Sequence, residues 1–255
     1  MEYTGIFQGG GVKGFAYIGA ICALEENKIY CTKAAGTSIG AIFASLLMCG
    51  YTGKELAYLS KYINLEDLVD KQKQKITKCI KERGLYSTNR IEILLDELYK
   101  VKGYHYLSEL NHNDESILKV VASDITNRKK IIFPDDLINY NINEIPIAKA
   151  VTMSISYPLF FKPLKLNNST IIDGGIYDNF PTEIINDQNP KIGFKILDNK
   201  IKNNKLDYLI EIDTKKTKKL NFKISHNEKR ELFESGYYKT LETIDKIKKE
   251  NKNMI

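Results

Sequence analysis

Two short apolar strands, each running straight into a glycine-rich turn and then an apolar helix, fill the first fifty residues of this chain. Tyr3 to Gln8 reads as the first strand, and Gly9-Gly10-Gly11 turns directly out of it. Phe15, Ile18, Cys22 and Leu24 then recur at helical spacing through Glu26. Ile29 to Ala35 repeats the strand, Gly36 to Gly40 the turn, and Ala41 to Cys49 the helix, which Gly50 stops. Strand–helix–strand units this compact return each strand parallel to the last. They predict an α/β fold, a three-layer α/β/α arrangement around a mostly parallel central sheet.

The remaining 200 or so residues fit one large domain of that kind, since 255 residues at 43% hydrophobic content can bury a substantial core. Residues 54–100 are charged and helical, with Leu56, Leu59 and Ile63 on one apolar face and Ile91, Leu94, Leu95 and Leu98 on another; they read as a helical insertion or cap. Strands resume at Ile117 to Ala122, Lys130 to Phe133, Thr170 to Ile172 and Lys191 to Leu197. Helices are expected over Ile147 to Ser154 and Glu228 to Glu250. No repeat and no Gly, Ser or Pro-rich linker divides the chain.

Charge is unevenly placed. Residues 191–255 hold 17 Lys and Arg against 10 Asp and Glu, whereas residues 1–190 hold 21 against 22. The basic tail suits either a solvated helix face or contact with an anionic surface. Its lysines are interspersed with acids and carry no recognition motif, so no nucleic acid is expected as a partner. No stretch approaches the ~18 apolar residues of a membrane span, and Met1 to Thr4 does not open a secretory signal. Cys22, Cys31, Cys49 and Cys79 form no C-x-x-C pair, which suits reduced thiols and a cytoplasmic setting.

Gly36-Thr37-Ser38-Ile39-Gly40 matches G-x-S-x-G, the turn that presents a nucleophilic serine between strand and helix. A plain N-cap is the other meaning of Ser38. Gly9, Gly11 and Gly14 also fit G-x-G-x-x-G, but the second strand ends without the acid that would hold a ribose, and Phe15 stands where a P-loop needs Lys. What is left is a loop of main-chain N–H groups at a helix start, the makings of an oxyanion hole. His105, His112 and His226 all lie in polar surroundings and none follows a strand as a triad base would. Asp173-Gly174-Gly175 does follow a strand, and it reads either as a carboxylate brought to the sheet edge near Ser38 or as an Asx turn.

Together these motifs resemble the patatin-like phospholipase family from Tyr3 to about Pro181. The resemblance rests on Gly9-Gly10-Gly11-Val12-Lys13-Gly14, on Gly36 to Gly40, and on Asp173-Gly174-Gly175 with Asn179 and Pro181. Ala122 to Thr126 and Ser154 to Pro158 add to it, while Gln8 stands where the family often has Asp. The resemblance implies a Ser38–Asp173 dyad and an oxyanion loop of Gly9, Gly10, Gly11 and Gly14. Lys13, Gly36, Gly40, Gly174 and Gly175 would support them, with no metal or cofactor. It implies a lipid acyl hydrolase of phospholipase A type; an acyltransferase, an esterase or thioesterase on the same dyad, or a silent lipid-binding module are the alternatives. Residues 1–190 are then expected to form the catalytic domain, with 54–100 inserted in it and 191–255 completing it. The basic tail would meet anionic membrane, and Tyr157 to Phe161 would either line an acyl channel or fill the core.

Overall fold

A computed structural model describes residues 2–68, 84–113, 115–197, 205–218, 220 and 223–252. Part of the expected insertion (69–83, with Cys79) lies outside the described residues. The first two units form as the glycine spacing predicts: β1 (Glu2–Phe7), α1 (Ala16–Glu26), β2 (Tyr30–Thr37) and α2 (Ile39–Met48). Along β1 side chains alternate between faces, so Tyr3 and Phe7 enter the main core while Ile6 joins Ala35 and Ile185 on the other side. In the main core Phe7 stacks on Phe194, with ring centroids 4.5 Å apart.

The charged stretch after α2 contributes α3 (Gly53–Tyr62) and α4 (Asn89–Val101). A capping box starts α3, in which the Thr52 hydroxyl accepts from the Glu55 N–H and the Glu55 carboxylate accepts from the Thr52 N–H. The rest of the large sheet is β3 (Leu118–Asp124), β4 (Lys129–Phe133), β5 (Leu164–Leu166), β6 (Ser169–Asp173), β7 (Lys191–Lys195) and β8 (Tyr208–Glu211). Helix α5 (Ile147–Ile155) precedes β5, and α6 (His226–Lys252) ends the described chain.

The sheet is mixed and mostly parallel, in the order β8-β7-β1-β2-β3-β6-β5, with β4 also on β3, and it is flanked by helices. Pairings among β8, β7, β1, β2 and β3 are parallel, whereas β4 and β6 run antiparallel to β3. One strand decides where the site forms. Val120 to Asp124 of β3 pair with β4, which occupies one edge. On the other edge β2 reaches Thr37 opposite Val121, and β6 arrives from the opposite direction with Asp173 opposite Ala122. The ends of β2 and β6 therefore meet head to head on adjacent residues of β3.

Helix α6 packs on α1 through two glycines. A Cβ on Gly19 would lie 1.9 Å from the Phe233 carbonyl oxygen, and one on Gly236 would lie 1.9 Å from that of Ala16, so the two backbones touch. Among the described residues no helix is long and apolar enough to cross a membrane.

Candidate active site

Ser38 follows Thr37 at the end of β2 and begins α2, with φ 55° and ψ −126°. Gly36 and Gly40 make this sharp turn, because a Cβ on Gly36 would lie 2.3 Å from the Gly40 carbonyl oxygen, and one on Gly40 would lie 2.3 Å from that of Phe7. The Ser38 N–H donates to Ser154 Oγ at 2.8 Å, and Ser154 Oγ donates in turn to the Val121 carbonyl at 2.5 Å. Helix α5 thus pins the turn to β3. The Ser38 side chain makes no capping bond to α2. Its hydroxyl instead donates to Asp173 Oδ2 at 2.5 Å, across 135 positions of sequence.

Asp173 is 3% exposed and Ser38 9%. The two meanings of Asp-Gly-Gly coexist: Oδ1 of Asp173 accepts from the Gly175 N–H at 2.8 Å, closing an Asx turn, while Oδ2 faces Ser38. The Asp173 N–H donates to the Ser156 carbonyl at 2.9 Å, and Gly174 lies against the Val121 carbonyl. Ser38 and Asp173 are thereby both tied to the segment from Ser154 to Ser156.

The glycine loop sits directly beside Ser38, since a Cβ on Gly9 would come within 3.2 Å of the Ser38 Cβ. Its four glycines differ in what they offer. Gly9 donates its N–H to the Asn179 carbonyl at 2.9 Å and accepts from Asn179 Nδ2 at 3.0 Å, so its amide is already used. The Gly14 carbonyl accepts from the Ala16 N–H, and Gly14 packs on the Ile39 side chain. The N–H groups of Gly10 and Gly11 meet no acceptor among the described residues. Gln8, fully buried, accepts the N–H groups of Ile196 and Leu197 on its Oε1 at 3.0 and 2.9 Å, and its carbonyl accepts the Tyr17 hydroxyl at 2.5 Å. An amide side chain therefore anchors the loop where the resembled family often has a carboxylate.

Lys13 faces away from this constellation, into a separate polar cleft with Lys195, Glu211 and Asp213. The histidines stand apart as well. His105 pairs with Asp96, Nδ1 to Oδ1 at 2.7 Å, His112 and His226 are exposed, and none lines the cavity at Ser38.

That cavity, of about 160 Å³, opens at Ser38, Asp173 and Gly11 and is walled mainly by aliphatic and aromatic side chains. Every one of the apolar positions that the sequence marks on the two insertion helices, Leu56, Leu59 and Ile63 on or just after α3 and Ile91, Leu94, Leu95 and Leu98 on α4, lines it. Of the aromatic segment, Tyr157 and Phe161 line it, Phe160 packs at a tilt against the Tyr86 ring, and Leu159 points to solvent at 78% exposure. Behind the wall Lys229 of α6 donates to the Ser60 and Ile63 carbonyls at 2.8 and 2.7 Å and lies over the Phe15 ring; burial lowers its pKa.

Sequence reasoning passes over the bonding of Ser154 and Asn179, and it marks Gln8 only as a departure from the family. Ser154 and Asn179 stand in motifs that carry the resemblance, and their position at the end of a helix-forming run and soon after Asp-Gly-Gly is the available signal.

A family model described as patatin-like phospholipase matches residues 5–185. Similar proteins include YqhO of Bacillus subtilis (strain 168), 39% identical over 194 residues that make up 71% of this chain and 66% of that protein. The probable lipid hydrolase 463L of Invertebrate iridescent virus 6 is 31% identical over 186 residues, 71% of this chain and 62% of that protein. The chain thus spans just under two thirds of the length of these two relatives. Among solved structures, VipD from Legionella pneumophila superposes with a TM-score of 0.67 at 17% identity, covering 96% of this chain and 67% of that one. ExoU in its complex with SpcU from Pseudomonas aeruginosa gives 0.61 at 18%, covering 96% and 51%. At these identities the likeness is one of fold.

Proposed function

This chain belongs to the patatin-like phospholipase family, and from that premise we propose that it is a lipid acyl hydrolase of phospholipase A type working through Ser38 and Asp173. The observation that carries the proposal is the 2.5 Å hydrogen bond from Ser38 Oγ to Asp173 Oδ2 at the polar end of an apolar cavity. Ser38 Oγ attacks the ester carbonyl carbon as its proton passes to Asp173. Negative charge develops on the former carbonyl oxygen, where the N–H groups of Gly10 and Gly11 and the start of α2 receive it. Collapse breaks the bond to the alcohol oxygen, which takes the proton from Asp173 and leaves as lysolipid. Water then attacks the acyl-serine, gives its proton to Asp173, and the fatty acid departs as that proton returns to Ser38.

A carboxylate is a weaker base than an imidazole, so placement and oxyanion stabilisation carry much of the rate; one donor in such a hole is commonly worth roughly 10²–10³ in turnover. The apolar cavity takes the acyl chain, and the basic C-terminal segment meets the anionic leaflet from which substrate is drawn. Incubation with mixed phospholipid vesicles tests the reading. Ser38→Ala and Asp173→Asn should each release less than about a thousandth of the wild-type fatty acid, by analogy with the loss of single members of a serine triad. Equal release by all three proteins would end the proposal.

A further inference from the structure

The cavity beside Ser38 has a polar end at Ser38 and Asp173, and its apolar lining includes side chains buried in the core. It follows one stripe of α2, where Ile39, Ile42, Phe43 and Leu46 stand at i, i+3, i+4 and i+7, and no lining residue of α2 comes after Leu46. Two hydrogen bonds lie beneath that level. The buried Tyr99 hydroxyl meets Ser45 Oγ at 2.7 Å, and the Tyr51 hydroxyl donates to the Leu98 carbonyl at 2.8 Å. They fasten the C-terminal half of α4 to the end of α2. Leu46, Leu56 and Leu95, which are 5%, 3% and 3% exposed, line the cavity there from three different helices.

We propose that this floor sets the length of acyl chain the protein accepts, with Leu46 as its specificity-determining residue; the proposal rests on the hydrolase reading. The eight steps from Ser38 to Leu46 rise about 12 Å along α2. An extended alkyl chain advances roughly 1.3 Å per carbon, the projection of bonds of ~1.5 Å. An acyl chain of about eight to ten carbons therefore spans from the ester carbon at Ser38 to the floor, and the substrate class is a medium-chain acyl ester. Leu46 and Leu95 belong to the core and also line the cavity, so a phenyl ring at either position has empty space to enter and should shorten it.

The test is a series of p-nitrophenyl esters from four to sixteen carbons, read as ratios of kcat/KM between lengths so that a general loss of activity cancels. Wild type should peak at eight to ten carbons. Leu46→Phe, and independently Leu95→Phe, should lower the ten-to-four-carbon ratio at least tenfold. A ratio that moves less than twofold in both folded variants, or a wild-type profile flat from eight to sixteen carbons, overturns the proposal and leaves the hydrolase reading standing. Calorimetry of decanoate and hexanoate binding to Ser38→Ala, with and without Leu46→Phe, reports on the floor without turnover. A wild type that cleaves none of the esters while decanoate binding falls at least tenfold with Leu46→Phe sinks the hydrolase reading and supports the floor.

Discussion

Ser38 holds a backbone conformation that a side chain adopts at a cost of order 1–3 kcal/mol, and two bonds keep it there, one from its N–H to Ser154 and one from its hydroxyl to Asp173. Ser154→Ala removes the acceptor from a buried N–H. It should cost about 1–3 kcal/mol in urea unfolding and lower kcat at least tenfold with KM little changed, because the turn relaxes while the cavity stays. An unchanged kcat would show that Asp173 alone suffices to hold the nucleophile. At this scale the sequence is readable where glycines bracket a reactive residue, as they do at Gly36 and Gly40. It is unreadable where a single hydroxyl reaches across 116 positions, as Ser154 does, or where an amide expected to stabilise charge, that of Gly9, is already bound to Asn179.

Among the elements, the α1–α6 crossing is the contact least tolerant of added volume. Gly19→Ala places a methyl carbon 1.9 Å from a main-chain carbonyl oxygen of α6, and backbone cannot swing aside as a side chain can. Guanidinium unfolding should show a loss of about 1–3 kcal/mol or more, where an alanine in an ordinary helix interior would add stability. The sequence reading did not mark this crossing, because a glycine inside a helical run does not by itself say which partner approaches it. The two N-terminal strand–helix units and the apolar faces of the insertion helices were legible because period and punctuation agree there. Strand β8 was not, since four residues among charged neighbours carry too little alternation. The direction of β6 was not legible either: Asp173 does come to Ser38, but on a strand antiparallel to β3 whose end meets that of β2.

For the whole molecule, buried thiols set the alkaline limit. Burial pushes Cys22 up to about 11 and Cys31 and Cys49 each to about 12. Above about pH 9 the unfolded chain sheds these protons and the folded chain keeps them. The folded state then binds more protons, and stability falls as pH rises, by roughly 1.4 kcal/mol per thiol per pH unit. Below about pH 8 this contribution is fully present. Urea midpoints under reducing conditions should therefore drop from pH 8 to pH 10, and Cys31→Ala should flatten that slope by about a third. A slope unchanged by the substitution would assign the effect to buried tyrosines such as Tyr17, Tyr99 and Tyr140, whose pKa values burial also raises. At the same scale, reversing the charge of Lys215, Lys216 and Lys218 should weaken cosedimentation with anionic vesicles by about 1 kcal/mol per lysine; equal pelleting would place the membrane face elsewhere.

The abutment of β2 and β6 on Val121 and Ala122 means that the reaction depends on a count as much as on chemistry. Deleting one residue at that seam would slide nucleophile and base apart by roughly one strand step, ~3.3 Å, with both side chains intact. The loops that lead from Ser38 to β3 and from β3 to Asp173 bear on that spacing only through their ends, while the short tract of β3 between the two strand ends sets it directly.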